Sequence, residues 1–274
     1  MMFTVLGATG FLGSHAVEVL RGQNSECWAV PRGDKSLFER ALGHVLYCVG
    51  VTADFRRRPS DTMRAHVEYL RQVLEAGSFD SLLYVSSTRV YAGAESGSED
   101  ADLRVNPNRA DDLYNASKIA GEAVCLADPR IGVRVVRLSN VYGHDFASDN
   151  FLSSVLRDCV ERREVVFQSA WNSERDFVSV RDVVTLLPRI ASAGRCRLYN
   201  IASGVNTSNE ALAAILRART GSAFSVATGA RKVTYPNISI GRIRDEFGFR
   251  PHLLADDIDE LLIAHCQRTG EASS

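Results

Sequence analysis

The chain has 274 residues and a formal net charge of −1, enough for one large α/β domain or for a nucleotide domain with a small cap. Near neutrality argues against a nucleic-acid or membrane-surface partner, because the chain has neither a basic stripe nor a polybasic tail. Six scattered cysteines without CxxC spacing, no signal peptide and no apolar run of membrane-spanning length predict a cytoplasmic protein with reduced core thiols.

The N-terminal stretch predicts a strand, a glycine turn and a helix. An uncharged run over Phe3–Leu6 is followed by Gly7, Gly10 and Gly13, and apolar residues then recur at helical spacing until Gly22. Glycine permits positive φ and lets the backbone approach a pyrophosphate that faces a helix N-terminus. The spacing is GxxGxxG rather than the usual GxGxxG, and a glycine turn without a nucleotide is the alternative. We interpret the stretch as a dinucleotide-binding turn.

The second strand, residues 26–30, ends where the adenosine ribose lies in a dinucleotide fold. A carboxylate at this position would bind the ribose 2′-hydroxyl, whereas an arginine would pair with a 2′-phosphate. The position holds Arg32, and Asp34 follows two residues later. The arrangement favours NADP over NAD, with a solvated loop arginine as the alternative.

The connection to the third strand is short. A single helix fits residues 36–42, and residues 44–49 already form the next buried strand. So few residues cannot hold a complete crossover unit. We therefore expect the sheet to lack the edge strand beyond strand two, with the order 2-1-4-5-6 in the labels usual for this fold, and a thinner adenine pocket.

Two further helices flank a strand that ends in hydroxyl residues. The helix at 61–76 is expected to begin at Asp61 as N-cap, and His66 on it to be a supporting group rather than a catalytic base. The strand at 81–85 runs into SSTRVYAG, at the sheet edge where open α/β sheets bind ligands, although hydroxyl residues also form turns. A helix over 111–126 places Tyr114 and Lys118 four residues apart on one face.

The second half predicts a small, discontinuous cap. Arg175 beside an apolar FVSV run would direct a guanidinium at phosphates, with an ion pair to Asp176 or Asp182 as the alternative. No His/Cys/Asp spacing suits a metal site. The predicted elements from the fifth strand onward are a strand at 134–138, a helix at 151–160, a strand at 164–169, and helices at 209–219 and 256–265.

The motifs GATGFLG, VSSTRVY, YNASK, RLSNVYG and RDFVSVRDVV, in this order, resemble those of an extended short-chain dehydrogenase/reductase. More narrowly, the chain is similar to the NAD(P)-dependent epimerase/dehydratase group that acts on nucleotide sugars. The resemblance spans residues 3–251. It implies a Rossmann-like doubly wound parallel sheet, shortened by one edge strand, in residues 1–145 with return segments near 176–203. Residues 146–274 would mainly form the substrate-binding cap.

The resemblance also implies residue roles. Tyr114 would be the acid/base, Lys118 would bind the nicotinamide ribose and help lower the pKa of Tyr114, and Ser87 would hold the reacting oxygen, with Thr88 as its rival. The implied cofactor contacts are Gly7, Thr9, Gly10, Phe11, Leu12, Gly13, Arg32, Tyr114 and Lys118. The implied substrate contacts are Thr88, Asn140, Asn150 and Arg175.

Dehydratases of the group carry acidic residues after the hydroxyl motif, where this chain has Thr88 and Arg89, so dehydration is disfavoured. The resulting hypothesis is NADPH-dependent reduction of a nucleotide-linked 4-keto sugar. The alternatives are a C4 epimerase that retains NAD and a dinucleotide-binding protein without turnover. A homodimer is expected by analogy, through the helices at 61–76 and 111–126.

Overall fold

The computed structural model describes residues 1–52, 54–144, 148 and 150–271, with side chains up to residue 267. The strands are β1 Met2–Leu6, β2 Glu26–Ala29, β3 His44–Tyr47, β4 Ser81–Ser87, β5 Val133–Leu138, β6 Asn140–Tyr142, β7 Glu164–Phe167, β8 Glu174–Ser179, β9 Leu198–Ile201, β10 Asn206–Ser208 and β11 Ala223–Val226. The α-helices are α1 Phe11–Gly22, α2 Pro59–Met63, α3 Tyr69–Ala76, α4 Asp112–Ala127, α5 Phe151–Arg157, α6 Val180–Ala193, α7 Asn209–Thr220, α8 Gly241–Phe247 and α9 Leu254–Glu271. Short 3-10 turns cover Lys35–Glu39 and Thr88–Tyr91, and π turns cover Arg64–Glu68 and Asp158–Arg162.

The central sheet is parallel throughout and has the order β2-β1-β3-β4-β5-β9. This order confirms the Rossmann-like fold class. β2 is an edge strand of the sheet, as we predicted from the short connection between β2 and β3. The predicted order stopped at β5, and that part of the prediction was wrong, because Leu198–Ile201 adds a sixth strand. These four buried residues pair with β5.

Helices cover both faces of this sheet, which explains why its strands are apolar on both sides. One buried cluster packs α1 and α6 against the strands and includes Leu20 and Leu187. The other packs α3 and α4 against the opposite face and includes Leu70 and Cys125. This arrangement leaves the carboxyl ends of the strands open to ligands.

Two local predictions differ from the structure. The connection between β2 and β3 contains the 3-10 turn Lys35–Glu39 instead of an α-helix over 36–42. The helix predicted from Asp61 begins at Pro59, a residue whose fixed φ suits the first helical turn, and Asp61 instead pairs with Arg58 and Arg64. That helix continues through the π turn Arg64–Glu68 into α3.

The second half forms two small sheets, with orders β10-β8-β6 and β11-β7. A separate buried cluster joins α5, α7 and α9 to β7 and β8, with Phe167 and Phe177 among its members. This cluster would be the core of the predicted cap, and the predicted boundary between residues 145 and 146 lies outside the described residues.

None of the six cysteines, all of which lie among the described residues, forms a disulfide bond. Cys125 and Cys159 are buried as expected, but Cys266 is exposed on α9, so the prediction of core thiols fails there. Within the described part of the chain, no helix has both the length and the apolar character needed to cross a membrane.

Candidate functional site

The glycine turn between β1 and α1 has the geometry of a phosphate cradle. Gly7 has φ +80°, and a Cβ there would lie 2.8 Å from the Cys48 backbone, while a Cβ on Gly13 would lie 2.2 Å from the Gly7 carbonyl oxygen. These two glycines are therefore required by the turn itself. A Cβ on Gly10 would meet nothing closer than the Gly7 oxygen at 3.4 Å, so the space over Gly10 is open.

The N-terminus of α1 is free to bind an anion. Gly10 occupies the N-cap position without a side-chain cap, and the first turn holds no acidic residue. Thr9 and Gly10 are exposed, while Phe11 and Leu12 are half-buried behind them. Unpaired first-turn N–H groups and the helix dipole favour negative charge here. The residues present thus fit the pyrophosphate of a dinucleotide.

At the end of β2, where the adenosine ribose is expected, one carboxylate already has a hydrogen-bond partner, whereas one guanidinium has no ion-pair partner among the described residues. The Asp34 carboxylate accepts a hydrogen bond from the Ser36 backbone N–H at 2.9 Å and caps the 3-10 turn. Arg32 is exposed and forms no ion pair with a described residue. A 2′-phosphate therefore has a cation available at this position.

Tyr114, Lys118 and Ser87 come together at the carboxyl end of β4. Tyr114 and Lys118 lie on α4, four residues apart, and are only 6% and 4% exposed. Ser87 is the last residue of β4, and its hydroxyl accepts a hydrogen bond from the Arg89 backbone N–H at 3.2 Å. The same hydroxyl hydrogen-bonds with the Tyr114 phenol and acts to lower its pKa. A carbonyl or hydroxyl oxygen placed between the two side chains could bind both.

Lys118 is a buried ammonium group held by the strand beside it. Its Nζ donates to the Val85 carbonyl oxygen at 2.9 Å and lies 5.0 Å from the centre of the Tyr84 ring. Burial lowers the pKa of Lys118 to about 8, against the opposing effect of Glu122 one turn further along α4. A lysine in this environment loses its proton more readily than an exposed lysine does.

The cation that acts on the Tyr114 phenol is Arg89, not Lys118 as expected. The guanidinium carbon of Arg89 lies 5.2 Å from the centre of the Tyr114 ring. Burial raises the pKa of Tyr114, and hydrogen bonding to Ser87 and the charge of Arg89 only partly offset this effect. The expectation that Lys118 would lower this pKa is therefore not met here, because its ammonium group is directed to Val85.

His66 supports this group from the π turn. Its Nε2 accepts a hydrogen bond from the Val51 N–H at 3.2 Å, and Ser117, which donates to the Tyr114 carbonyl, can only accept from His66 Nδ1–H at 2.8 Å. The ring is fully buried and meets the Tyr114 ring edge-on at 5.5 Å. Burial and the charge of Lys118 lower the pKa of His66 to about 2. The imidazole therefore stays neutral in one tautomer, in agreement with the supporting role expected for it.

Arg175 on β8 is a guanidinium held in place by neutral groups. It donates to Asn209 Oδ1 at 3.0 Å and to Ser169 Oγ at 3.2 Å, and it lies 3.9 Å from the centre of the Phe151 ring. It forms no ion pair with any carboxylate in the described part of the chain. The alternative of an ion pair with a neighbouring aspartate is therefore wrong. Asp176 instead accepts from the backbone N–H groups of residues 203 and 204, and Asp182 pairs with His252.

The remaining predicted substrate contacts are Asn140, Asn150 and Thr88. Asn140 on β6 donates its amide to the Asp176 carbonyl oxygen at 2.7 Å. Asn150 caps α5 by accepting from the Ser153 N–H at 2.9 Å. Thr88 is buried directly after Ser87. The structure thus gives Asn140 and Asn150 local hydrogen-bond partners.

The sequence analysis did not identify three residues of this region. Tyr235, in a loop, is close enough to Tyr114 and Arg175 to act toward raising the pKa of each. Phe55 is buried against the Tyr114 ring with centres 5.4 Å apart. Glu122 forms a buried ion pair with Arg137 at 2.6 Å and accepts from Ser86 beneath the hydroxyl motif. Only the i,i+4 spacing of Lys118 and Glu122 could have indicated such a role.

No group of three or more potential metal ligands occurs among the residues that the structure describes. The chemistry available at the cleft is thus that of a phenol, a hydroxyl, an ammonium group and guanidinium groups, beside a glycine cradle for an anion.

Comparisons with known proteins identify the family of this chain. A family model described as the NAD dependent epimerase/dehydratase family matches residues 3–202. The dTDP-glucose 4,6-dehydratase of Streptomyces griseus is 28% identical over 208 residues, which cover 72% of this chain and 62% of that protein. The chain therefore spans less than two thirds of that relative's length. The dTDP-4-dehydro-6-deoxy-D-allose reductase of Streptomyces bikiniensis is 23% identical, with 93% of both chains covered.

Solved structures show the same fold. A structure titled MoeE5 in complex with UDP-glucose and NAD has a TM-score of 0.79 and 23% identity, and covers 100% of both chains. RMD from Pseudomonas aeruginosa complexed with NADPH has a TM-score of 0.79 and 21% identity, and covers 97% of this chain and 99% of that one. Both cofactor types thus occur on this fold.

Proposed function

The chain belongs to the NAD-dependent epimerase/dehydratase family, an enzyme family of the extended short-chain dehydrogenase/reductase type, and from this premise we propose that it reduces a nucleotide-linked 4-keto sugar with NADPH. The observation that carries the proposal is the pairing of the Ser87 hydroxyl with the buried Tyr114 phenol at the sheet edge. The reductase relatives, which match over most of their length, support the same direction.

The state of Tyr114 favours reduction over epimerisation. Carbonyl reduction needs a proton donor at the oxygen, whereas epimerisation must begin by removing a proton from a hydroxyl. Because burial raises the pKa of Tyr114, the phenol is protonated at neutral pH and suits the first task. Ser87 would donate the second hydrogen bond to the same oxygen, which orients the carbonyl and stabilises the charge that develops on it.

The cofactor would lie over Gly10, with its pyrophosphate on the N-terminus of α1 and its ribose near Lys118. When bound, the reduced dinucleotide supplies hydride to the carbonyl carbon. We propose NADP rather than NAD, because Arg32 is uncommitted while the Asp34 carboxylate caps a turn. Arg175, held by the neutral side chains of Asn209 and Ser169, would bind the diphosphate of the sugar nucleotide. The two-part division into residues 1–145 and 146–274, the homodimer and the cytoplasmic location remain predictions.

The test is turnover with a panel of sugar nucleotides. A dTDP-linked 4-keto-6-deoxyhexose is assayed with NADPH, and UDP-glucose and UDP-glucuronate are assayed with NADP in the reverse direction. We expect stoichiometric NADPH oxidation or NADP reduction with at least one of them. Tyr114→Phe should lower kcat about 100-fold or more, since it removes a general acid.

Tyr84→Phe is the matched control. The Tyr84 hydroxyl is buried next to the site without a hydrogen-bond partner among the described residues, so its loss should change kcat less than about twofold. Interconversion of two sugar nucleotides without net NADPH consumption would instead identify an epimerase. Binding without turnover that is insensitive to Tyr114→Phe would identify a protein without catalysis.

A further inference from the structure

Arg89, beside Tyr114 and Ser87, carries a guanidinium that forms no ion pair with a described carboxylate. Its side chain is half-buried, and its guanidinium carbon lies 5.2 Å from the Tyr114 ring centre and 4.9 Å from that of Phe55. None of the described carboxylates comes within ion-pair distance of it. The charge of Arg89 acts to lower the pKa of the Asp111 carboxyl, but Asp111 is already paired with Arg56 at 2.5 Å.

This position is close to the oxygen that reacts. That oxygen must contact both the Tyr114 phenol and the Ser87 hydroxyl, and the Arg89 backbone N–H donates to Ser87 at 3.2 Å. Arg89 therefore lies next to both groups that would hold the reacting oxygen: its backbone is bonded to Ser87 and its guanidinium is beside the Tyr114 ring. A sugar held by Tyr114 and Ser87 would bring a substituent of a neighbouring carbon toward Arg89, whereas Arg175 would bind the diphosphate.

A sugar with only hydroxyl substituents would leave this charge unpaired in a partly dehydrated site. Charged groups taken from water are normally paired, and guanidinium groups bind carboxylates through two parallel hydrogen bonds. The low local dielectric beside two aromatic rings would strengthen such a pair. Stacking on Phe55 and Tyr114 holds the guanidinium in place but does not neutralise it.

From this geometry we propose that Arg89 forms an anion subsite, and that the sugar carries a carboxylate next to the reacting carbon, as a nucleotide-linked hexuronate does. The inference rests on the proposed function, whose substrate class it narrows. Arg89 would make the site select acidic over neutral sugars, while Tyr114 would remain the proton donor.

The experiment compares binding of UDP-glucuronate and UDP-glucose to the full chain saturated with NADP. The two probes share the nucleotide and differ only in a carboxylate or a hydroxymethyl group. Calorimetry should show tighter binding of UDP-glucuronate, and Arg89→Gln should reduce the ratio of the two affinities at least about tenfold. Arg89→Lys, which keeps the charge, should recover part of the ratio.

Arg57→Gln is the matched control, because Arg57 is exposed in the adjacent loop and removing it takes away the same charge. It should change the ratio less than about twofold, and the unfolding temperature of each variant verifies that it folds. Equal binding of both probes, or a ratio insensitive to Arg89→Gln, would overturn the anion subsite alone. Failure of these probes and of a dTDP-linked hexose to bind would overturn the proposed function together with it.

Discussion

Replacing Lys118 with methionine should make the protein more stable at neutral pH while abolishing its activity. The methionine side chain fills similar space but carries no charge, and Lys118 is only 4% exposed. Burial holds the pKa of this lysine at about 8, compared with an ordinary value of 10.5. The charged form is therefore disfavoured in the folded protein, and the substitution removes that cost.

The magnitude follows from linkage between protonation and folding. A pKa lowered from 10.5 to about 8 corresponds to about 3 kcal/mol of destabilisation below pH 8, where the lysine is charged in both the folded and the unfolded chain. Between pH 8 and 10.5 the unfolded chain binds the extra proton, so stability rises by about 1.4 kcal/mol per pH unit and the cost disappears. Losing the hydrogen bond to Val85 costs about 1 kcal/mol, which leaves a net gain of about 2 kcal/mol at pH 7.

The assay is urea unfolding of the wild type and Lys118→Met from pH 7 to 10.5, followed by tryptophan fluorescence. The stability advantage of the variant should fall steadily above pH 8, and dinucleotide binding should be weakened at every pH. Lys232→Met, at an exposed lysine, is the matched control and should differ from the wild type by less than about 0.5 kcal/mol throughout. A stability difference between wild type and Lys118→Met that does not change with pH would refute the reasoning.

Other sites give sharper contrasts. Gly10→Ala should fold normally but bind dinucleotide at least about tenfold more weakly. Gly13→Ala should instead lower the unfolding temperature, because its Cβ would lie 2.2 Å from the backbone of the turn. Equal effects of the two substitutions would contradict the phosphate-binding role of the turn. His66→Gln should reduce the stability lost as the pH falls from 6.5, because a native pKa of about 2 makes the unfolded chain bind the extra proton; acid titrations that match the wild type would contradict this. Arg175→Gln should weaken sugar-nucleotide binding at least about tenfold by calorimetry, and it should also lower the unfolding temperature modestly because it removes the hydrogen bonds to Asn209 and Ser169; unchanged binding would contradict the role of Arg175.

Much of the architecture is local and could be predicted. The strand, glycine turn and helix at the N-terminus are specified by residues that are close in the chain, and the structure has them within a residue or two of the predicted bounds. The missing edge strand followed from chain length alone, since the short connection after β2 cannot hold a crossover unit. The late strand β9 was missed because LYNI is a four-residue apolar run, which periodicity cannot distinguish from a buried helical segment.

The residue types of the site and their positions along the chain were readable from the motifs, because the spacing of Tyr114 and Lys118 and the hydroxyls after β4 follow from helix and strand periodicity. Their charge states were not. The electrostatics of the site depend on burial and on partners distant in sequence, such as Phe55 and Tyr235. These factors decide which cation lies near Tyr114, whether Arg175 has an ion-pair partner and how readily Lys118 loses its proton. Electrostatic free energies are set by distance and desolvation, and only the packed chain defines either quantity.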